Sequence, residues 1–72
     1  MIAINTPASL GHHVRVARKR AGLRQQELAG VAGVGVRFVI ELEAGKPTMQ
    51  LGKAMQVLAA LGLTVFLEDG EH

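Results

Sequence analysis

Seventy-two residues allow one domain, and folding a chain this short buries only about 60% of the surface its unfolded form exposes. There is no cysteine, so disulfides and thiolate metal sites are excluded, and a second copy of the chain is the expected source of further burial. The formal charge is only +2, yet without residues 68–72 the body carries eight bases against three acids, a net +5 that suits nucleic acid.

Other classes are disfavoured as well. No apolar run approaches the roughly 20 residues of a membrane span. The start, Met1-Ile2-Ala3-Ile4-Asn5, lacks the basic segment and long apolar region of a secretion signal, so a cytoplasmic location is expected and no membrane partner. Phe38 and Phe66 are the only aromatics, too few for the stacking platforms of single-strand or RNA binders. The adjacent His12 and His13 point to different faces of a helix and cannot chelate one ion together, so no metal or cofactor is expected. No Ser-His-Asp grouping and no Gly-rich phosphate loop after a strand is present, and an enzyme is not expected.

In chain order, a first helix is predicted from about Pro7–Ser9 to Ala21. Thr6 is placed to cap it, Pro suits its first turn, and Arg18, Lys19 and Arg20 complement its C-terminal dipole. Leu10, Val14, Ala17 and Ala21 recur along it at helical spacing. A short second helix follows from about Gln25 to Val31, with Leu23 as an apolar anchor before it and Leu28 and Ala29 facing inward. Ala32-Gly33-Val34 makes a tight turn into a third helix, about Val36 to Ala44, whose inward pair is Val39 and Leu42. Thr48 or Gln50 opens a fourth helix to Leu61, with Leu51, Ala54, Met55, Leu58 and Leu61 as its apolar stripe. Gly22, Gly33, Gly45 and Gly62 fall where these segments end, as left-handed C-terminal residues do.

Beyond Gly62 the pattern changes to period two. Leu63-Thr64-Val65-Phe66-Leu67 is a strand candidate, which must pair either with the extended N-terminus around Ile2–Ile4 or with its copy in a second chain. Pairing across a two-fold axis makes Leu63, Val65, Phe66 and Leu67 dimerisation residues, and residues 68–72 an acidic tail. The fold class expected is therefore all-α, four to five short helices (core 9–62) with a C-terminal β-strand used in a dimer.

The second and third helices with their small-residue turn form a helix-turn-helix pattern. Gly33 permits the turn, Ala29 lets the helices cross closely, and Val34, Val39 and Leu42 pin the second helix of the pair to the core. Val36, Arg37, Ile40 and Glu41 are left facing outward, where a major groove accepts such a helix.

The run Arg18-…-Gly22-Leu23-Arg24-Gln25-Gln26-Glu27-Leu28-Ala29, then Ala32-Gly33-Val34, then Phe38-Val39-Ile40-Glu41-Leu42-Glu43-Ala44-Gly45-Lys46, resembles the lambda-repressor-like (Xre) helix-turn-helix family. Gly45-Lys46-Pro47-Thr48, a helix ending in Leu58-Ala59-Ala60-Leu61-Gly62-Leu63, and a final strand are similar to the HipB-type antitoxin branch. The resemblance implies that Gln25 touches a phosphate and braces the recognition helix, that Arg18 and Glu43 form a partly buried ion pair, and that Lys46 lies near the DNA backbone. It also implies that Val36, Arg37 and Glu41 face the bases. Arg37 is suited to a guanine edge and Val36 to a thymine methyl. Arg24 and Gly35 stand at the positions before the second and third helices where the family usually carries Ser or Thr. With the apolar Val36 and Ile40, these departures leave the recognition surface poor in hydrogen-bonding groups.

The implied function is a sequence-specific transcriptional repressor, a homodimer on an inverted-repeat operator in double-stranded DNA. The HipB likeness implies further an antitoxin that regulates its own operon and binds a HipA-like serine/threonine kinase toxin. A stand-alone Xre-type regulator, and a helix-turn-helix module that binds only protein, fit the same pattern.

Overall fold

The computed structural model describes residues 1–70 and contains four α-helices: α1 (Pro7–Arg20), α2 (Gln25–Ala32), α3 (Val36–Glu43) and α4 (Leu51–Ala60). Glu71 and His72, the end of the acidic tail, lie outside the described residues. α2 packs on α3 and on α4, and α1 crosses α3.

Local chemistry sets the helix ends. At the start of α1 the Thr6 hydroxyl accepts the Ser9 N–H at 3.0 Å, and Pro7 fills a first-turn position that needs no donor. All four C-termini close in the same way. Leu23, Val34, Lys46 and Leu63 each donate a backbone N–H to the carbonyl five residues back, at 2.9–3.1 Å. The glycine just before each of them adopts positive φ, between 72° and 81°. This is the Schellman closure expected at these glycines, and it satisfies carbonyls that would otherwise be orphaned. At Gly45 the requirement is double, since an added Cβ would also sit 2.7 Å from the Cα of Ala8 in α1.

The core consists of Val14, Leu28, Ala29, Ala32, Val39, Leu42, Ala54, Val57 and Leu58, with Leu10, Leu23, Val34, Val36 and Phe38 among the half-buried residues around it. Burying a side chain such as Leu28 or Leu42 contributes about 1.5–3 kcal/mol. The closest helix contact is made by a residue with no side chain. Gly11 is buried in α1 directly under the end of α3, where an added Cβ would run into the carbonyl oxygen of Leu42 and lie 2.7 Å from that of Glu43.

Three expectations change. The α4 stripe is rotated: Ala54, Val57 and Leu58 are buried, whereas Leu51 and Met55 are 71% and 50% exposed. One chain offers α4 a neighbour on one flank only, so the remaining apolar positions face outward. Val36 does not point wholly outward but is half-buried against the core. The strand over 63–67 is absent, and residues 63–70 carry neither helix nor strand. A strand needs a ladder partner, and the N-terminal residues 1–5 lie without regular structure too, so none forms within the chain.

Candidate nucleic-acid interface

Gly33, at φ 74° and ψ 32°, turns the chain sharply between α2 and α3. The turn fixes α3 across α2, and Ala29, only 4% exposed, leaves room for the crossing. The orientation of α3 is then locked at its far end by a buried polar node. Arg18 of α1 donates from Nε to Glu43 Oε2 at 2.6 Å and from Nη2 to Oε1 at 3.0 Å, a bidentate pair. Its Nη1 reaches the Leu23 carbonyl at 2.8 Å, and the Gln25 amide donates to Glu43 Oε1 at 3.2 Å. The Arg18 and Glu43 side chains are 10% and 4% exposed. The Arg18 pKa is pushed up chiefly by the hydrogen bond to Glu43; burial opposes this and the carboxylate charge adds to it. Among the described residues no buried side-chain polar atom lacks a partner. Removing one member of such a pair costs about 3–5 kcal/mol, because the other charge is left buried alone.

With that node beneath it, α3 presents a ridge. Arg37 is almost fully extended into solvent, with its side chain 88% exposed, and Ile40 is 47% exposed. Glu41 lies beside them, 3.9 Å from the Arg37 guanidinium and 3.3 Å from Lys46 Nζ. The Lys46–Glu41 contact spans the closure of α3, so this helix end is finished by an ion pair rather than by an apolar contact. Shallow grooves flank the ridge. One runs past Arg15, Gln25 and Ile40, and the other past Arg37, Lys46, Thr48, Gln50 and Lys53. A convex ridge with cations on both sides has the shape and charge for a major groove with a phosphate backbone on each side.

The helix starts at this surface are plainly built. Gly35 precedes α3 in extended conformation and gives no side-chain cap, and a Cβ there would meet nothing within 4 Å. Arg24 precedes α2. Its guanidinium has no acceptor to offer, so only the reverse half of a capping box forms, with Glu27 Oε1 accepting the Arg24 N–H at 2.8 Å.

Gly35, Arg37, Glu41 and Lys46 line one groove beside α3 and Gln25 and Ile40 the other, while Arg24 is exposed before α2 and Val36 is half-buried against the core. Leu63, Val65, Phe66 and Leu67 do not join them. They are exposed and follow α4, and the N–H of Leu63 is spent on closing that helix. Arg15 and Lys53 also line these grooves, and the sequence pattern does not single them out. Their placement depends on how α1 and α4 sit beside α3, which residue spacing does not carry. Among the described residues no group of three His, Cys, Asp or Glu side chains is placed to hold a metal ion. Among the described residues no helix is long and apolar enough to cross a membrane.

Comparison with known proteins agrees with this geometry. A profile of the helix-turn-helix domain matches residues 9–68. An uncharacterized HTH-type transcriptional regulator of Sinorhizobium fredii, y4mF, is 59% identical over 70 residues, covering 96% of this chain and 92% of that protein. A chain of the HipB–O4 20mer complex superposes with a TM-score of 0.87 at 24% identity, over 99% of this chain and 100% of that one. A chain of the HipA–HipB–O2–O3 complex gives 0.88 at 24% identity, over the same shares. Two short helices about a glycine turn, with the second offering a charged ridge, define a helix-turn-helix protein with the HipB fold. The chain belongs to the helix-turn-helix family, among its transcriptional regulators.

Proposed function

We propose that the chain is a single-domain, sequence-specific repressor that works in the cytoplasm as a homodimer on an inverted-repeat operator. The observation that carries this reading is the α3 ridge, with Arg37 exposed at its crest and cations in both flanking grooves. Arg37 reads a guanine edge, while Arg24, Gln25 and Lys46 hold phosphates, Gly35 brings backbone amides to the DNA without a hydroxyl, and Val36, Ile40 and Glu41 line the reading face. Dimerisation uses Leu63, Val65, Phe66 and Leu67, the apolar chain left exposed beyond α4, with Leu51 and Met55 beside it on the helix. Pairing of two such segments supplies both the burial and the ladder partner that one chain lacks.

The particular role we infer is that of an antitoxin in a HipBA-like pair, repressing its own operon and binding a HipA-like kinase toxin. Support comes from the likeness to HipB chains in complexes with 20mers and, in one case, with HipA. A module that binds only protein has weaker support, since Val36 is turned partly into the core and Ile40 alone remains as an exposed apolar residue on the ridge.

Selection of bound duplexes from a random library, run in parallel with Arg37→Ala at matched salt, tests the reading. The expected result is an inverted repeat for the wild type, relaxed at one base pair of each half-site by the substitution. Weak, salt-sensitive binding without a motif would overturn it.

A further inference from the structure

Ile40 is a large aliphatic side chain left 47% exposed in the middle of the α3 ridge, one helical turn after Arg37. We propose that Ile40 reads the C5-methyl group of a pyrimidine beside the guanine held by Arg37, so that each half-site is recognised as a 5-methylpyrimidine–guanine step. The inference rests on the reading of α3 as a major-groove helix.

Few side chains on the ridge are able to make such a contact. Val36, the other aliphatic residue at that face, is half-buried and packed against the core, so its methyls are already in contact with protein. Glu41 would be the acceptor for a cytosine amino group, but it faces two cations, Lys46 at 3.3 Å and Arg37 at 3.9 Å. The ridge therefore offers one hydrogen-bonding group that stands in solvent and is held only at 3.9 Å by its neighbour, the Arg37 guanidinium, and one free apolar group, the Ile40 side chain. In the major groove a guanidinium matches the two acceptors of guanine. The one apolar feature there is the C5-methyl of thymine, which 5-methylcytosine also carries. Residues three apart on a helix have Cβ atoms about 5–6 Å from each other. Neighbouring base pairs rise about 3.4 Å, within the reach of these two side chains toward adjacent pairs. Desolvating one methyl against Ile40 corresponds to about a fourfold change in affinity.

The test uses the duplex that the wild-type protein selects. Each thymine is replaced in turn by deoxyuridine and each cytosine by 5-methylcytosine, and affinities are measured at matched salt for the wild type and for Ile40→Ala. Because Ile40 lies outside the core cluster, the substitution leaves the fold intact, which a melting curve verifies. The expected result is one thymine per half-site, next to a guanine, where loss of the methyl weakens the wild type about fourfold. At that position Ile40→Ala binds the thymine and uracil duplexes equally. With cytosine at the same position, adding the 5-methyl group strengthens wild-type binding only. A flat uracil scan on a duplex that is nonetheless bound specifically, or undiminished methyl discrimination by Ile40→Ala, would overturn the methyl-reading inference alone. Failure of the wild type to select any motif would overturn the operator reading and this inference with it.

Discussion

The two ends of the helical bundle are finished to different degrees. Where α1, α2 and α3 meet, every polar group is answered. Arg18, Glu43, Gln25 and the Leu23 carbonyl form a closed set, and Gly11 lets the α1 and α3 backbones touch. At the other end, α4 shows Leu51 and Met55 to solvent, and Val65, Phe66 and Leu67 lie beyond it, 53% to 96% exposed and without secondary structure. The first region is complete within one chain and ties the end of α3 to α1 and α2. The second has the composition of an interior and no interior to belong to, and it is the surface assigned to a second copy in the proposed dimer.

Breaking the finished end has the largest expected effect. Arg18→Ala or Glu43→Ala leaves a charge buried without its partner and lowers stability by about 3–5 kcal/mol, most of what a domain of this size possesses. Thermal denaturation followed by circular dichroism should show the melting temperature of either variant lowered by roughly 12–40 °C. Gly11→Ala comes next. Its methyl forces α1 away from the Leu42 and Glu43 carbonyls at about 1–3 kcal/mol, and a melting temperature equal to that of the wild type would contradict the close approach.

The unfinished end responds differently. Phe66→Asp should abolish dimerisation, read by sedimentation as a single-chain mass at micromolar concentration, while the helical signal persists. The smallest effect concerns the ridge itself. Gly35→Ser restores a hydroxyl before α3 in space that is open, adding a few tenths of a kcal/mol of stability and tightening DNA binding through one more phosphate donor. The Arg18–Glu43 pair also sharpens a pH expectation. Because the Arg18 pKa is raised on folding, the proton is held more tightly in the folded state. The associated stability is complete below the ordinary arginine value and is lost only as pH rises through the raised one. Titration of Arg18 therefore puts no step in the stability curve between neutrality and about pH 10.

The part of the fold written in local chemistry was legible. Thr6, Pro7 and the glycines at 22, 33, 45 and 62 mark helix ends through capping and φ, which need no tertiary context, and the turn at Gly33 makes the helix-turn-helix visible. Gly11 was silent because a mid-helix glycine signals only that something approaches closely, not what approaches. The α4 stripe lies one position round from the expected one, with Leu51 and Met55 outside the core and the fully buried Val57 inside it. Leu51 and Met55 share the helical period with Ala54 and Leu58, and periodicity cannot say which flank of an apolar face the rest of the chain covers. The strand at 63–67 has the right alternation, but a ladder is a property of two segments and the sequence of one cannot supply it. Within the candidate site, the positions of Gln25, Arg37 and Lys46 follow from the family pattern, whereas the contributions of Arg15 and Lys53 depend on helix packing.

The most direct test of the central claim, that a ridge finished in one chain reads DNA only when the unfinished end is paired, is the stoichiometry on a selected duplex. Sedimentation of the complex, for the wild type and for Phe66→Asp, measures it. Two protomers per wild-type complex, footprints centred about 34 Å apart, and a large loss of affinity for the variant are expected. One protomer per duplex, or a monomeric variant that binds as tightly as the wild type, would contradict it.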